Sequence, residues 1–235
     1  MVICGLRHGG NAHYWLLPGS GRRLAGERPI ASPMESRVSE PITLLERGFA
    51  LAAGRLAAAG DISWSTPSVC VEWTLRQLVN HLIGIPTVLG RAASGERLEP
   101  DEFSPDVMAE TDYFGLDASS AYDAAVSKAL EVCARPDALD GVCAMPRGDV
   151  PIRNLVTLVV SDTVVHAWDL ARSTGQDAEI PDDLAELGYT FMKGFVSPNA
   201  RGGTFKHFDQ PVEVGPDASP TDRLVAFLGR DPAAR

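Results

Sequence analysis

The sequence has little cysteine, and none of it is closely spaced. Four cysteines occur among 235 residues, Cys4, Cys70, Cys133 and Cys143, and no two form a C-x-x-C pair. A disulfide framework or a cysteine zinc knuckle needs such clustering, so reduced thiols are expected. Cys70, just before a predicted helix, is either a reactive thiol or, more commonly for this residue type, a small buried side chain.

Long apolar runs and an excess of basic residues are also absent. No run approaches the roughly 18 residues of a membrane-spanning helix, and the patch "AHYWLLPG" is too brief for a secretory signal. Acidic residues number 31 against 21 basic ones, for a net charge of -10. That sign repels phosphate backbones and anionic headgroups. We therefore expect a cytoplasmic protein that binds neither nucleic acid nor membranes.

Hydrophobic residues are abundant, at 45% of the chain, and they recur at helical spacing. The spacing predicts four long helices over 38–60, 74–95, 119–137 and 151–174, then two shorter ones over 181–195 and 219–230. Between them, 95–117 is predicted as a long acidic loop and 139–151 as either a short hairpin or an irregular loop. The prediction is an all-α protein, most simply an antiparallel four-helix bundle (34–235) with short C-terminal additions and a flexible tail (1–33).

The second helix carries clear start signals. Thr74 and Gln77 have the spacing of a capping box, and Trp73 and Leu78 that of a hydrophobic staple. Pro86 falls inside the same helix and removes one backbone hydrogen bond, which predicts a kink or a break into two segments.

Two ionisable residues interrupt the apolar fourth helix, in "SDTVVHAWDLARSTG" (161–175). Asp162 and His166 are four residues apart and share a stripe with leucine and valine. If these two groups were buried without partners, the loss of their hydration would cost several kcal/mol of folding free energy. Three compensations are open: pairing with each other, which is the commoner outcome for an isolated D-x-x-x-H, other polar partners, or a divalent cation.

His81 stands on the equivalent apolar stripe of the second helix. Taken singly, it is more often a core histidine bonded to a carbonyl. If the second and fourth helices are neighbours, His81, Asp162 and His166 converge as two nitrogens and one oxygen. That donor set leaves positions open on zinc, and it also suits iron or nickel. Asp169, further along, either orients a ligand or forms a surface salt bridge with Arg172.

Three stretches resemble a known family: "CVEWTLRQLVNHLIG" (70–84), "SDTVVHAWDLARSTGQ" (161–176) and "VEVGPDASPTDRLVAFLGRDP" (212–232). They are similar to the DinB-like metal-binding bundle proteins related to mycothiol-dependent maleylpyruvate isomerase, which are common in actinobacteria. The resemblance implies that His81, Asp162 and His166 hold one divalent ion, and that the protein uses mycothiol or another low-molecular-weight thiol. Related bundles often dimerise, so it also allows a homodimer.

The resemblance has two departures. The isomerase has Glu where this chain has Asp162, and its separate C-terminal domain is not recognisable here. Both argue against carrying over maleylpyruvate as the substrate.

Three hypotheses about function follow. The leading one is a divalent-metal-dependent enzyme of the thiol transferase or isomerase kind, acting on a small electrophile. The alternative is a metal-binding module without catalysis, either a sensor or a bundle stabilised by its ion. The third is a metal-free helical protein in which Asp162 and His166 merely pair.

Overall fold

The computed structural model describes residues 34–70, 72–144, 149–197, 201 and 208–233. Within these residues the helices are α1 (Met34–Ala58), α2 (Leu75–Ala93), α3 (Pro105–Glu110), α4 (Ala118–Cys133), α5 (Ile152–Ser173), α6 (Asp182–Phe195) and α7 (Pro220–Phe227). Two short strands, β1 (Val142–Cys143) and β2 (Val150–Pro151), pair antiparallel. The all-α class is confirmed. The predicted tail, 1–33, lies outside the described residues, and the division of the chain there stays a prediction.

Most predicted helices are present, with one correction in the acidic loop. The four long predicted helices correspond to α1, α2, α4 and α5, and the two shorter ones to α6 and α7. The stretch 95–117 is not a continuous loop, because it contains a 3₁₀ turn (Pro100–Phe103) and α3. Pro100 and Pro105 begin these segments, where the missing N–H of proline does no harm. In the stretch 139–151, the paired strands favour the hairpin alternative.

Helix α2 begins with the predicted capping box. The backbone N–H of Gln77 donates to the hydroxyl of Thr74, and the backbone N–H of Thr74 donates to Oε1 of Gln77 at 2.8 Å. Of the two outcomes predicted for Pro86, the break into two segments is wrong, because α2 continues through that residue; the kink stays a prediction. Ile85, Pro86 and Val88 are buried, so tertiary packing compensates for the hydrogen bond that proline removes.

The four long helices form a bundle in which α2 packs against α4 and α5, and α1 packs against the same two helices. Helices α1 and α2 therefore lie at opposite corners. Cys70, before α2, contacts Asp169 late in α5, whereas His81 inside α2 contacts the earlier Asp162. This order shows that α2 and α5 are adjacent and antiparallel.

Helix α1, in contrast, runs parallel to α5, so the predicted antiparallel arrangement is wrong for this pair of neighbours. Gly48 in the middle of α1 lies beside Val160 of α5, and Arg55 near the end of α1 accepts a hydrogen bond from Gln176, just after α5. The connections from α1 to α2 and from α4 to α5 therefore cross the bundle diagonally.

Helix α5 is buried along almost its whole length. Its buried side chains include Asp162, His166 and Asp169, each at most 1% exposed. Among the residues described, no helix combines the length and the hydropathy that crossing a membrane requires.

The C-terminal helices extend the bundle on the side of α5, because α6 packs on α5 and α7 packs on α6. Ser219 caps α7 by accepting a hydrogen bond from the backbone N–H of Asp222 at 3.1 Å. Thr221 exchanges two hydrogen bonds with the backbone of Ile180, just before α6. These contacts fix α7 so that the residues after it return to α5.

Candidate metal centre

The three residues that the sequence singles out lie together in the interior. His81 is 0%, Asp162 1% and His166 0% exposed. Nε2 of His81 is 3.2 Å from one carboxylate oxygen of Asp162, and Nε2 of His166 is 3.7 Å from the other. Each residue can offer one ligand atom, and the three atoms lie within 4.8 Å of one another. The adjacency of α2 and α5 brings these groups together.

The spacing of these atoms suits a divalent ion. Ligand atoms about 2.1 Å from a tetrahedral centre are roughly 3.4 Å apart, and the distances of 3.2 and 3.7 Å bracket that value. Nδ1 of His81 and both ring nitrogens of His166 have no hydrogen-bond partner among the described residues. A buried imidazole nitrogen without a partner is unfavourable, and an ion would compensate Nε2 of His166 directly.

Direct pairing of Asp162 with His166 explains the observed distances less well than a bound ion does. At 3.7 Å the contact between these neighbours on α5 is too long for a hydrogen bond. The closer partner of Asp162 is His81, on the other helix. The interaction that compensates the carboxylate therefore joins two helices.

The protonation states suit metal ligation. Burial lowers the pKa of His81, and its hydrogen bond with Asp162 only partly opposes this, so the imidazole is neutral near pH 7. Burial alone would raise the pKa of Asp162, but the neighbouring His166 and His81 outweigh it and hold the pKa below its usual value. Neutral imidazole and ionised carboxylate are the forms that bind a divalent ion.

Trp73 closes one side of the centre. Its ring centroid lies 5.0 Å from that of His81 and 5.8 Å from that of His166, nearly parallel to the latter. The two histidine rings meet edge to face at 4.6 Å. Trp73 is a core residue, as the sequence favours, but its contact with both histidines could not be inferred from its place before a helix cap.

Asp169 lies on the far side of His166, where Oδ2 approaches Nδ1 of the ring to 2.9 Å. The predicted surface salt bridge with Arg172 is wrong, because Asp169 is 0% exposed and Arg172 instead lies over the ring of Trp168. The other alternative, in which Asp169 orients a ligand, agrees with its position.

Arg230 is the partner of Asp169, and sequence reasoning missed it. Its Nε and Nη2 donate to the two carboxylate oxygens at 2.7 and 2.6 Å. Burial would raise the pKa of Asp169, but the charge and hydrogen bonds of Arg230 outweigh this and hold the pKa well below its usual range. The two residues are 61 positions apart, so no local spacing could have revealed the pair.

Cys70 is buried at 3% exposure and fits the expectation of a small buried side chain. Its thiol donates to Oδ2 of Asp169 at 3.2 Å, and Nη2 of Arg230 is 3.9 Å from the sulfur. Cys70, His166 and Asp169 form a second group with metal-ligand spacing. The guanidinium beside it disfavours another cation there, so the candidate centre is the group of His81, Asp162 and His166.

Known proteins resemble this chain in sequence and in fold. The family described as "Mycothiol maleylpyruvate isomerase N-terminal domain" matches residues 45–171, more than half of the chain. "Uncharacterized protein MT0763" and "Uncharacterized protein Rv0738", from two strains of Mycobacterium tuberculosis, are each 32% identical over 191 residues, covering 81% of this chain and 98% of the relative.

Two solved structures share the fold. Crystal structures of the mycothiol-dependent maleylpyruvate isomerase and of a mutant of it align with a TM-score of 0.50 at 16% identity, covering 66% of this chain and 67% of the other. At that identity the likeness concerns the fold alone, and the family match and the relatives carry the assignment. The chain belongs to the family of the mycothiol maleylpyruvate isomerase N-terminal domain.

Proposed function

We propose that this protein is a divalent-metal-dependent enzyme of the thiol-dependent isomerase or transferase kind, in which a low-molecular-weight thiol attacks a small electrophile. The observation that carries the proposal is the convergence of two buried imidazoles and one carboxylate, from α2 and α5, at metal-ligand spacing. Family membership supports the thiol-dependent kind of reaction, since the family takes its description from a mycothiol-dependent isomerase.

In this proposal the residues of the centre have separate tasks. His81, Asp162 and His166 hold the ion, and an ion with an open position lowers the pKa of a bound thiol or water. Trp73 covers both histidine rings and excludes water from that side. We assign no residue as general acid or base, because no second titratable group among the described residues stands out for that role.

Finer features belong to the same proposal. Zinc is the preferred ion for a donor set of two nitrogens and one oxygen, with nickel and iron as the alternatives. Mycothiol is the preferred thiol, and the reaction takes place in the cytoplasm.

The proposal is tested on purified protein by measuring bound metal and the conversion of a panel of electrophiles in the presence of mycothiol or a surrogate thiol. We expect about one divalent ion per chain and conversion that depends on both metal and thiol; a transferase also consumes the thiol, and an isomerase releases it again. His166→Ala should lose both the ion and the conversion. Thr163→Val is the matched control, since Thr163 is buried on the same helix and its hydroxyl has no partner among the described residues; it should keep both.

Complete burial of the ligand atoms favours a second candidate, a metal-binding module without catalysis. Metal content without thiol turnover, together with a large fall in melting temperature on chelation, would favour that module over the enzyme. A protein without bound metal, whose melting temperature does not respond to chelators or added Zn²⁺, would contradict both.

A further inference from the structure

We propose that the C-terminal end of the chain is part of the centre, because Arg230 fixes Asp169 and Asp169 fixes the ring of His166 with its Nε2 toward Asp162. Arg230 and Asp169 are positioning residues in this proposal. Their effect on metal binding rests on the proposed function, whereas their effect on the ring of His166 does not.

The turn after α7 aims Arg230 at α5. The backbone N–H of Arg230 donates to the carbonyl of Val225, and that of Gly229 donates to the carbonyl of Ala226, both at 3.0 Å. This pair of bonds is the Schellman motif, which ends a helix with a left-handed residue. Gly229 has a φ of 89°, and a Cβ there would lie 2.5 Å from Cβ of Asp209. Only glycine fits at position 229, so the backbone turn there determines where the side chain of Arg230 begins and that it extends toward α5.

The contact between Arg230 and Asp169 is rigid. Both carboxylate oxygens accept a hydrogen bond from the same guanidinium, which fixes the plane of the carboxylate as well as its position. The side chain of Arg230 is 11% exposed and that of Asp169 is 0% exposed, so water can hardly replace either partner. A lysine could restore the charge but not the two-point contact.

The carboxylate in turn limits the orientation of His166. Its Oδ2 lies 2.9 Å from Nδ1, a close contact that does not have hydrogen-bond geometry, and Trp73 packs against the face of the ring. With Nδ1 beside Asp169, the opposite nitrogen faces Asp162 and His81. Outer partners of this kind set the orientation of metal-ligating histidines.

The charges of the cluster agree with this arrangement. The positive charge of Arg230 balances Asp169, which leaves the carboxylate of Asp162 as the remaining buried negative charge beside two imidazoles. Without Arg230, a second uncompensated carboxylate would lie against Cys70 and His166. Asp169 would then move or take up a proton, and the ring would lose its fixed neighbour.

The test compares Arg230→Met, Arg230→Lys and the matched control Arg223→Met, since Arg223 is on α7 but pairs with Glu186 at the surface. Zn²⁺ affinity is measured by chelator competition, and ligand geometry by the visible spectrum of the Co²⁺-loaded protein. We expect Arg230→Met to weaken Zn²⁺ binding about 10- to 100-fold and to alter the Co²⁺ spectrum. Arg230→Lys should recover only part of the affinity, and Arg223→Met should match the wild type.

A folded Arg230→Met protein with unchanged affinity and spectrum would overturn the proposal. If that variant does not fold, Asp169→Asn gives the same test from the other side of the contact. If the wild type binds no metal, the proposed function fails, and the positioning role is judged from a crystal structure of metal-free Arg230→Met. The proposal requires the ring of His166 to turn or shift, and an unchanged ring orientation would refute it.

Discussion

His166 connects the two buried carboxylates of the centre, because each of its ring nitrogens faces a different one. Nδ1 lies 2.9 Å from Asp169, and Nε2 lies 3.7 Å from Asp162. Asp169 already has Arg230 as a counter-ion, whereas the partners of Asp162 among the described residues are the imidazoles of His81 and His166. The two carboxylates therefore differ in role: one is structurally neutralised, and the other remains available to an ion.

Asp162→Asn tests this difference. The amide keeps the shape of the carboxylate but loses its charge, so Zn²⁺ affinity in chelator competition should fall by more than the roughly 10- to 100-fold typical of an outer partner. Because the lowered pKa of Asp162 means that the fold favours the ionised carboxylate beside His81, the melting temperature of the metal-free variant should also fall.

The control is Asp183→Asn, which makes the same chemical change at an exposed carboxylate paired with Arg47. Its Zn²⁺ affinity should equal that of the wild type. Unchanged affinity in Asp162→Asn would contradict the assignment of Asp162 as a ligand.

At the residue scale, the sequence revealed what helical periodicity can reveal. Asp162 and His166 attract attention because they interrupt an apolar stripe, and His81 does so on a second helix. Arg230 could not be recognised, because its partner is 61 residues away and its direction depends on a turn at the end of α7. For Arg172, local spacing suggested a contact that the fold does not form. Its spacing from Asp169 is right for a salt bridge, but Asp169 is buried and its carboxylate does not face the surface.

At the scale of the elements, local signals gave the helix starts correctly and the proline positions less well. The cap of α2 depends on groups three residues apart, and the structure has it as predicted. Pro86 stays inside a helix, and Pro100 and Pro105 begin helical segments. What a proline does depends on the packing around it, and packing is not local in sequence.

Two helical glycines should respond oppositely to substitution by alanine. At Gly84 of α2, a Cβ would lie 2.9 Å from Cγ and 3.0 Å from Cβ of Met108 on α3. Gly84→Ala should therefore destabilise the protein by about 1–3 kcal/mol. Exposed Gly54 of α1 has nothing within 4 Å of its Cβ position, so Gly54→Ala should stabilise by about 0.5–1 kcal/mol.

Thermal unfolding distinguishes the two variants, since about 1 kcal/mol shifts the midpoint by roughly 2–4 °C in a chain of this size. A lower midpoint for Gly84→Ala and a higher one for Gly54→Ala are expected. Shifts of the same sign would mean that the close approach of α2 and α3 does not constrain this position.

At the scale of the whole molecule, the centre exists only when distant parts of the chain are assembled. His81 comes from α2, Asp162 and His166 from α5, and Arg230 from the segment after α7. No single segment contains the donor set, so the proposed metal binding would be coupled to folding.

The same assembly predicts how stability depends on pH. Burial holds the pKa of His81 below its ordinary value of 6.5, so just below that pH the unfolded chain binds a proton that the folded protein does not. Stability is then fully present above about pH 6.5 and is lost as the pH falls, by at most about 1.4 kcal/mol per pH unit. The buried aspartates, whose pKa values are lowered, weaken the fold only below their ordinary range near pH 4.

Urea unfolding of the metal-free protein between pH 7.5 and 5, with a chelator present, measures this dependence. The midpoint should fall with pH in the wild type and fall less steeply in His81→Gln, which keeps a polar side chain but cannot titrate. A wild-type midpoint that is constant or rises toward pH 5 would mean that His81 gains a proton in the folded state. The centre would then be a buried ion pair, and the neutral imidazole that a divalent ion requires would be missing.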